Sequence, residues 1–421
     1  MKKVYIVIVA GLILSGAFTF GPALHAQVVL KTDSITMGQY YANEIYYSMK
    51  NGEVSSYARN SWDIAFRTTI RSSSILTNDG YSVILWSYPK ADTAGWASVD
   101  TSGLYTWTPM YNDPGDWENG AFSRNATGHP DYGWGRYNDQ THDVVGDSIF
   151  IIKLRNGSFR KLEIIRKNSV NNIYYFRFAK LDGTGQQDLS LNCNTYLARE
   201  FVGYSIETNE VVEYQPNKTD WDILFTKYMS IQHNGQPYAV TGVLNRDGVK
   251  SKTFYPVSLD YVDFTRGTWD STRSAIGWEW KYIDTNYVYH IKDSTVYFVK
   301  SSNGEVVKLV FSKFAGSSTG LIVFKTGKVP GLGIPVNQNS GEISVYPNPA
   351  TDLVHVTFTR TSVEPSILEL TDISGRLVEK RLVNTDSGMV LLNVSGLGSG
   401  IYIIKLSSPE GSVIRKIMIS R

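Results

Sequence analysis

Hydrophobic and polar positions alternate along most of this chain. "WDIAF" (62–66) sets Trp62, Ile64 and Phe66 at period two, with Asp63 and Ala65 between them. "WDILF" (221–225) repeats the arrangement with Trp221, Ile223 and Phe225. Period two predicts strand, with the apolar positions on one face. No stretch carries the 3.6-residue period of an amphipathic helix. Turn residues recur roughly every eight to twelve positions, the spacing of sandwiches and meanders. "RNGS" (155–158) and "SNGE" (302–305) place Asn-Gly between alternating runs. That is a strong hairpin signal, because both central residues need positive φ. The pattern predicts an all-β chain, mostly antiparallel.

The pattern is written twice. "YSMKNGEV" (47–54) precedes the first WDI word and "YSIETNEV" (204–211) the second. "DSIFIIKLRNGSFRKLEI" (147–164) follows the first and "DSTVYFVKSSNGEVVKLVF" (293–311) the second. The same elements in the same order mark an internal duplication. Each WDI aspartate reads as a structural hydrogen-bonding group, since a carboxylate with no basic partner nearby in sequence does not make a catalyst.

The copies differ in their middles. The stretch 86–145 of the first copy holds Trp86, Trp96, Trp107, Trp117 and Trp134, with Met110, His129 and His142. A long loop rich in aromatics and poor in aliphatics is unusual. Its flat apolar faces and few polar donors suit a flat ligand, a porphyrin or a sugar ring; equally, the tryptophans pin the loop to the β core. Asp113, Asp116, Glu118 and Asp131 are oxygen donors of the kind calcium takes, at a spacing that fits no EF-hand loop.

Composition narrows the classes. Aromatics reach 13%, with 27 Tyr and 10 Trp, which suits pleated, half-buried surfaces. A net charge of +2 with no long basic run argues against a nucleic-acid partner. Cys193 is the single cysteine, so no disulfide forms within the chain, and it reads as a buried small hydrophobe. HExxH, GxSxG, CxxC and phosphate-loop motifs are absent, and no enzyme is expected. Lys2, Lys3, the apolar run from Val4 to Phe20 and "ALHAQ" (23–27) predict a signal peptide, residues 1–26. No later stretch has the roughly 18 apolar residues of a membrane helix, so no membrane span is expected in the mature chain.

"KVPGLGIPVNQNSGE" (328–342) reads as a linker, placed at 329–341. "VYPNPATD" (345–352), "LTDISGRLV" (370–378) and "LGSGIYIIKL" (397–406) then fill a small β-sandwich domain, 342–421. These motifs resemble the C-terminal sorting domain of the type IX secretion system. The resemblance implies handling by that machinery, passage across the outer membrane, and an extracellular or surface-attached product.

The body resembles the HmuY family of secreted haem-binding proteins. "WDILFTKY" (221–228), "VTGVLNRDGVK" (240–250) and the run 292–324 carry the likeness in the second copy, and the first copy carries it more loosely. The resemblance implies two tandem β modules, 27–190 and 191–328, and haem held by two axial side chains, His or Met. No family ligand motif transfers residue by residue. The axial candidates are therefore His129, His142, Met110 and His233, with Met229 beside the last. Trp107, Trp117 and Trp134 are the candidate aromatic contacts. The alternative is a non-haem surface binder or adhesin that recognises glycan or protein through the aromatic loop.

Overall fold

The computed structural model describes residues 28–232, 234–329, 342–359, 365–384, 387–408 and 411–420. The expected signal peptide and nearly all of the expected linker lie outside them. The described chain is all-β, with short 3-10 turns between strands.

The first copy begins with β1 (Lys31–Thr36), β2 (Asn43–Ser48) and β3 (Gly52–Ala58). It continues with β4 (Ile64–Arg67), β5 (Ile75–Thr77) and β6 (Ile84–Ser87). The aromatic loop follows and contains β7 (Gly135–Tyr137) and β8 (Val144–Gly146). β9 (Ile149–Lys153), β10 (Phe159–Asn168) and β11 (Ile173–Ala179) complete the copy. The second copy opens with β12 (Gln187–Asn192), β13 (Phe201–Ser205) and β14 (Glu210–Val212). β15 (Ile223–Ile231), β16 (Pro237–Asn245) and β17 (Lys250–Phe254) come next. A separate hairpin, β18 (Lys281–Ile283) and β19 (Tyr289–Ile291), precedes β20 (Val296–Lys300), β21 (Val306–Phe314) and β22 (Leu321–Lys328).

The two copies build equivalent sheets. One path runs β1-β22-β21-β20-β17 and its counterpart β12-β11-β10-β9-β6, all antiparallel. Two smaller sheets run β3-β2-β15-β16 and β14-β13-β4-β5. The tyrosine-serine strand of each copy thus pairs with the WDI strand of the other. Tyr47 faces Ile223 in register, and Tyr204 faces Ile64.

This pairing corrects the tandem boundaries 27–190 and 191–328. The packing units are a continuous lobe from β4 to β14 and a second lobe from β15 to β22, closed by β1–β3 from the N-terminal end. Ile35, Met37, Ile45, Tyr47 and Met49 are buried in one cluster with Phe225, Val299 and Phe324. Each such side chain is worth about 2 kcal/mol when removed from water. The first lobe has its own cluster around Phe66, Phe150, Leu162 and Phe176. A sequence repeat does not say which copy of a strand pairs with which, because both copies present the same apolar word.

The WDI words also differ from expectation in one respect. The strands start at Ile64 and Ile223, and the preceding tryptophans turn to the opposite side. Trp62 and Trp221 lie in a cluster between the lobes, together with Ala65, Phe201, Tyr214, Leu224 and Leu244, while Ile64 and Ile223 face the lobe cores. The aspartates between them are structural, as expected. Asp63 Oδ2 accepts the N–H groups of Ile206 at 2.8 Å and Glu207 at 3.2 Å. Asp222 Oδ2 accepts the N–H of Met49 at 2.8 Å. Each carboxylate therefore caps the turn after the partner copy's strand.

Residues 342–420 form a three-stranded and a four-stranded antiparallel sheet among the described residues, around Val354, Leu368, Ile404 and Ile417.

Removing one cap while leaving buried N–H groups behind costs about 2–3 kcal/mol. Asp63→Ala should lower stability by that amount in urea titration, and Asp222→Ala by somewhat less, with an unchanged m-value. Equal stability to the parent chain would refute the capping role.

Candidate functional site

The long loop of the first lobe is the element that binds the lobes together. Trp117 is buried and donates its Nε1–H to the carbonyl of Asn245, on β16 of the other lobe, at 2.8 Å. The guanidinium of Arg273 lies 3.8 Å from the Trp117 ring centroid, and the Arg273 N–H donates to the Gly115 carbonyl at 2.9 Å. Gly80 allows the closest approach: a Cβ there would meet the Lys227 carbonyl oxygen at 2.0 Å. Only glycine lets the backbones of the two lobes touch at this point.

Charges are buried at this seam. Glu44, Asp79, Arg59 and Arg273 are all at least nine-tenths out of water. Burial pushes the Glu44 carboxyl up to about 7, against the pull of Arg59, and pushes Asp79 up to about 6. Burial lowers Arg59 to about 10. Asp79 accepts the Asn112 N–H at 2.8 Å, which fixes the start of the segment that lines the adjoining cleft.

That cleft encloses about 630 Å3 between the aromatic loop and the far end of β15. Pro89, Trp107, Pro109, Tyr111 and Pro114 give it flat, stiff walls. Met110 and Met229 approach it from opposite lobes, with Ile231 beside Met229. Asn112, Arg124 and Asn125 supply polar groups. Asn125 Nδ2 is 3.7 Å from the Met110 sulfur, and Arg124 pairs with Asp113 at 2.7 Å.

The candidates separate into three groups. Met110, Met229 and Trp107 line this cleft, and Trp107 is half-buried there. Trp117 and Trp134 are corrected from ligand contacts to structural residues. Trp117 serves the seam, and Trp134, fully buried, donates to the Ser73 carbonyl at 3.0 Å in the first core. Trp96 is likewise buried, under Lys161 and Arg177. His129 and His142 are exposed and flank Tyr137 instead, with His142 Nδ1 2.8 Å from the Tyr137 hydroxyl. They do not line the cleft with the two methionines. His233 lies outside the described residues.

The acidic loop residues are committed to protein groups. Asp113 holds Arg124 and the Gly115 N–H, Glu118 pairs with Arg67, and Asp131 holds Thr127 and Gly133. Among the described residues no group of three His, Cys, Asp or Glu side chains is placed to hold a metal ion. Cys193 is fully buried, and burial pushes its thiol up to about 12. Sequence reasoning does not reach Tyr111, Arg124 or Ile231. Tyr111 was signalled by its neighbour Met110, whereas Ile231 joins the cleft only through the packing of the lobes.

Comparison with known proteins speaks to the tail. Residues 344–420 match the secretion system C-terminal sorting domain. This tail sends the protein across the outer membrane by the type IX route, to the cell surface or the extracellular space. No curated protein matches the chain. Among solved structures, it is similar to PorZ, a surface component of the type IX secretion system of Porphyromonas gingivalis, at 13% identity and TM-score 0.16, covering 75% of this chain and 50% of that one. It is also similar to dimeric latent PorU from Porphyromonas gingivalis, at 10% identity and TM-score 0.17, covering 92% and 34%. A Ruminococcus gnavus beta-glucuronidase stands at 10% identity and TM-score 0.17, covering 80% and 44%. The chain spans half or less of each of these proteins. No helix among the described residues is long and apolar enough to cross a membrane.

Two outcomes are expected. Glu44 and Asp79 hold their protons more tightly in the folded chain, so the folded state binds extra protons between the ordinary carboxylate range and about pH 7. Stability should therefore fall as pH rises from about 4.5 to about 7. Glu44→Gln should flatten that fall by up to about 3 kcal/mol, read as Tm against pH. A mutant profile parallel to the parent's would exclude Glu44 as its source. Deleting 342–421 should leave the protein in the periplasm of a host with this secretion system, as fractionation would show.

Proposed function

We propose that the body is an extracellular binding protein, not an enzyme, that holds a glycan in the cleft between the lobes. The carrying observation is the lining: half-buried Trp107 among three prolines, with amide, hydroxyl and guanidinium groups around it. A sugar ring offers an apolar face to an aromatic and hydroxyls to such donors. Among the described residues no carboxylate or imidazole lines the cleft, and glycoside hydrolysis needs a pair of acids.

A second reading rests on a different observation. Met110 and Met229 bring two thioethers to one cleft, and the likeness to the HmuY family implies haem held by His or Met. Thioether sulfur is an accepted haem-iron ligand, and Trp107 would face the ring. The bound haem would supply an iron centre for capture or relay; the chain's part is to hold and shield it. Met110 is nearly buried and already meets Asn125, so its sulfur would have to exchange that contact.

An oligosaccharide array followed by titration of Trp fluorescence separates the two. The glycan reading expects a saturable ligand whose affinity falls about tenfold in Trp107→Ala. A saturating Soret band on haemin titration, lost in Met229→Ala, would replace it with the haem reading. Binding of neither removes the cleft as the site.

A further inference from the structure

The hairpin of β18 and β19 ends in a turn that departs from a rule kept elsewhere in the chain. Six tight turns among the described residues close with the same two backbone bonds: the first N–H donates to the fifth carbonyl, and the fourth N–H to the first carbonyl. The fourth residue holds positive φ, and in five of the turns it is glycine: Gly157, Gly183, Gly235, Gly304 and Gly375, at φ from 79° to 90°. In the sixth, 284–288, it is Tyr287, at φ 61°. A bulky side chain is strained there. The fold gives the ring nothing in return. Tyr287 is 85% exposed, and its side chain has no hydrogen-bonding, charged or aromatic partner among the described residues.

The rest of the hairpin holds that ring outward. Asp284 Oδ1 accepts the N–H groups of Asn286 and Val288, each at 2.9 Å, and Asp284 Oδ2 lies 2.9 Å from His290 Nε2. His290 stacks on half-exposed Tyr282, with 5.3 Å between ring centroids. At the base, buried Lys281 donates to the Thr241 carbonyl, and Tyr289 packs edge-on against Phe314 at 4.7 Å. With Asp284 and His290 paired and Lys281 buried, the hairpin presents rings and no free charge.

The strain recurs next to it. Eight non-glycine residues among the described ones hold positive φ, and three of them are tyrosines: Tyr40 at 54°, Tyr41 at 59° and Tyr287. The other five are Ser, Asn and His. Tyr40 is 74% exposed, and Tyr41 lies beside Tyr289. Lys227 Nζ stands 5.6 Å from the Tyr41 ring centroid. Lys227, Met229 and Ile231 follow one another on one face of β15, and the last two line the Trp107 cleft. A track thus leads from the hairpin to the cleft, and its strand part alone covers about 13 Å.

We infer that the cleft and this tyrosine track hold one occupant, a linear neutral polysaccharide, with Tyr287 as the outermost stacking platform. The inference rests on the glycan reading of the cleft and adds the length and charge of the ligand. A projecting ring cannot enclose a small molecule, but it can carry a further unit of a chain already held in the cleft. Sugar rings set apolar faces on tyrosine rings and hydroxyls on tyrosine hydroxyls, and a hairpin without free charge favours an uncharged chain.

Cello-oligosaccharides from cellobiose to cellohexaose are the probes, titrated into the mature chain by calorimetry. Affinity should rise with length up to cellohexaose. Tyr287→Gly should weaken cellohexaose about five- to tenfold, leave cellobiose unchanged and not lower Tm, since five equivalent turns carry glycine. Tyr287→Phe should keep most of the cellohexaose affinity. Trp107→Ala should weaken every length. Trp107-dependent binding that does not grow with length, or that is indifferent to Tyr287→Gly, would overturn the track and leave the cleft reading standing. No binding at any length would also overturn the track, while the oligosaccharide array decides the cleft separately. A lower Tm in Tyr287→Gly would make Tyr287 a structural residue, and phosphatidylcholine vesicle binding lost in that variant would assign the face to lipid; either would overturn the inference.

Discussion

Reciprocal strand exchange governs this molecule. β2 of the first copy lies beside β15 of the second, and β13 of the second lies beside β4 of the first. Each junction is locked by a buried carboxylate: Asp222 on the Met49 N–H, and Asp63 on Ile206 and Glu207. Both carboxylates are buried, so their hydrogen bonds to these turns, with the Arg155 guanidinium beside Asp63, offset the cost of removing them from water. The exchange sets the lobes face to face, and the Trp107 cleft lies along the seam it creates.

The seam shows how a duplicated frame gains distinct surfaces. Its apolar part is drawn almost evenly from the two lobes, Trp62, Phe201 and Tyr214 against Trp221, Leu224 and Leu244. Its polar part is not even. The aromatic loop exists on one side alone, and Arg155 has no basic counterpart on the other. The first difference builds the cleft with flat walls, and the second puts Ser302, bonded to Arg246, where the first lobe has the Arg155 ion pairs. Similar strands give the scaffold, and departures from similarity give the sites.

Much of this was legible in the residues, and the illegible part has physical causes. Period two located the WDI strands, and the Asn-Gly words located their hairpins, where Gly157 and Gly304 adopt φ of 84° and 90°. Asp63 was readable as structural because no base stood near it in sequence; Arg155 reaches it only through the fold. Trp62 was misplaced because alternation assumes the strand already runs at that position, whereas it begins two residues later. The ligand candidates were harder. A tryptophan in a long loop looks the same in sequence whether it plugs a seam, as Trp117 does, or edges a cleft, as Trp107 does. Methionines about 120 positions apart meet at one cleft only after the lobes close.

The clasp of β1–β3 on the second lobe also constrains the order of assembly. The first lobe is a continuous stretch of chain and can form as soon as β14 is available. The second cannot close until β22 arrives to pair with β1, which is the earliest strand made. Thr36 and Leu321 are neighbours across nearly the whole body, so contact order is high and closure is slow. A polypeptide threaded through a membrane from its N-terminal end would carry β1 without its partner strand until β22, the segment just before the sorting tail, emerged. In a chain threaded that way, closure of the body and emergence of the sorting tail would come almost together.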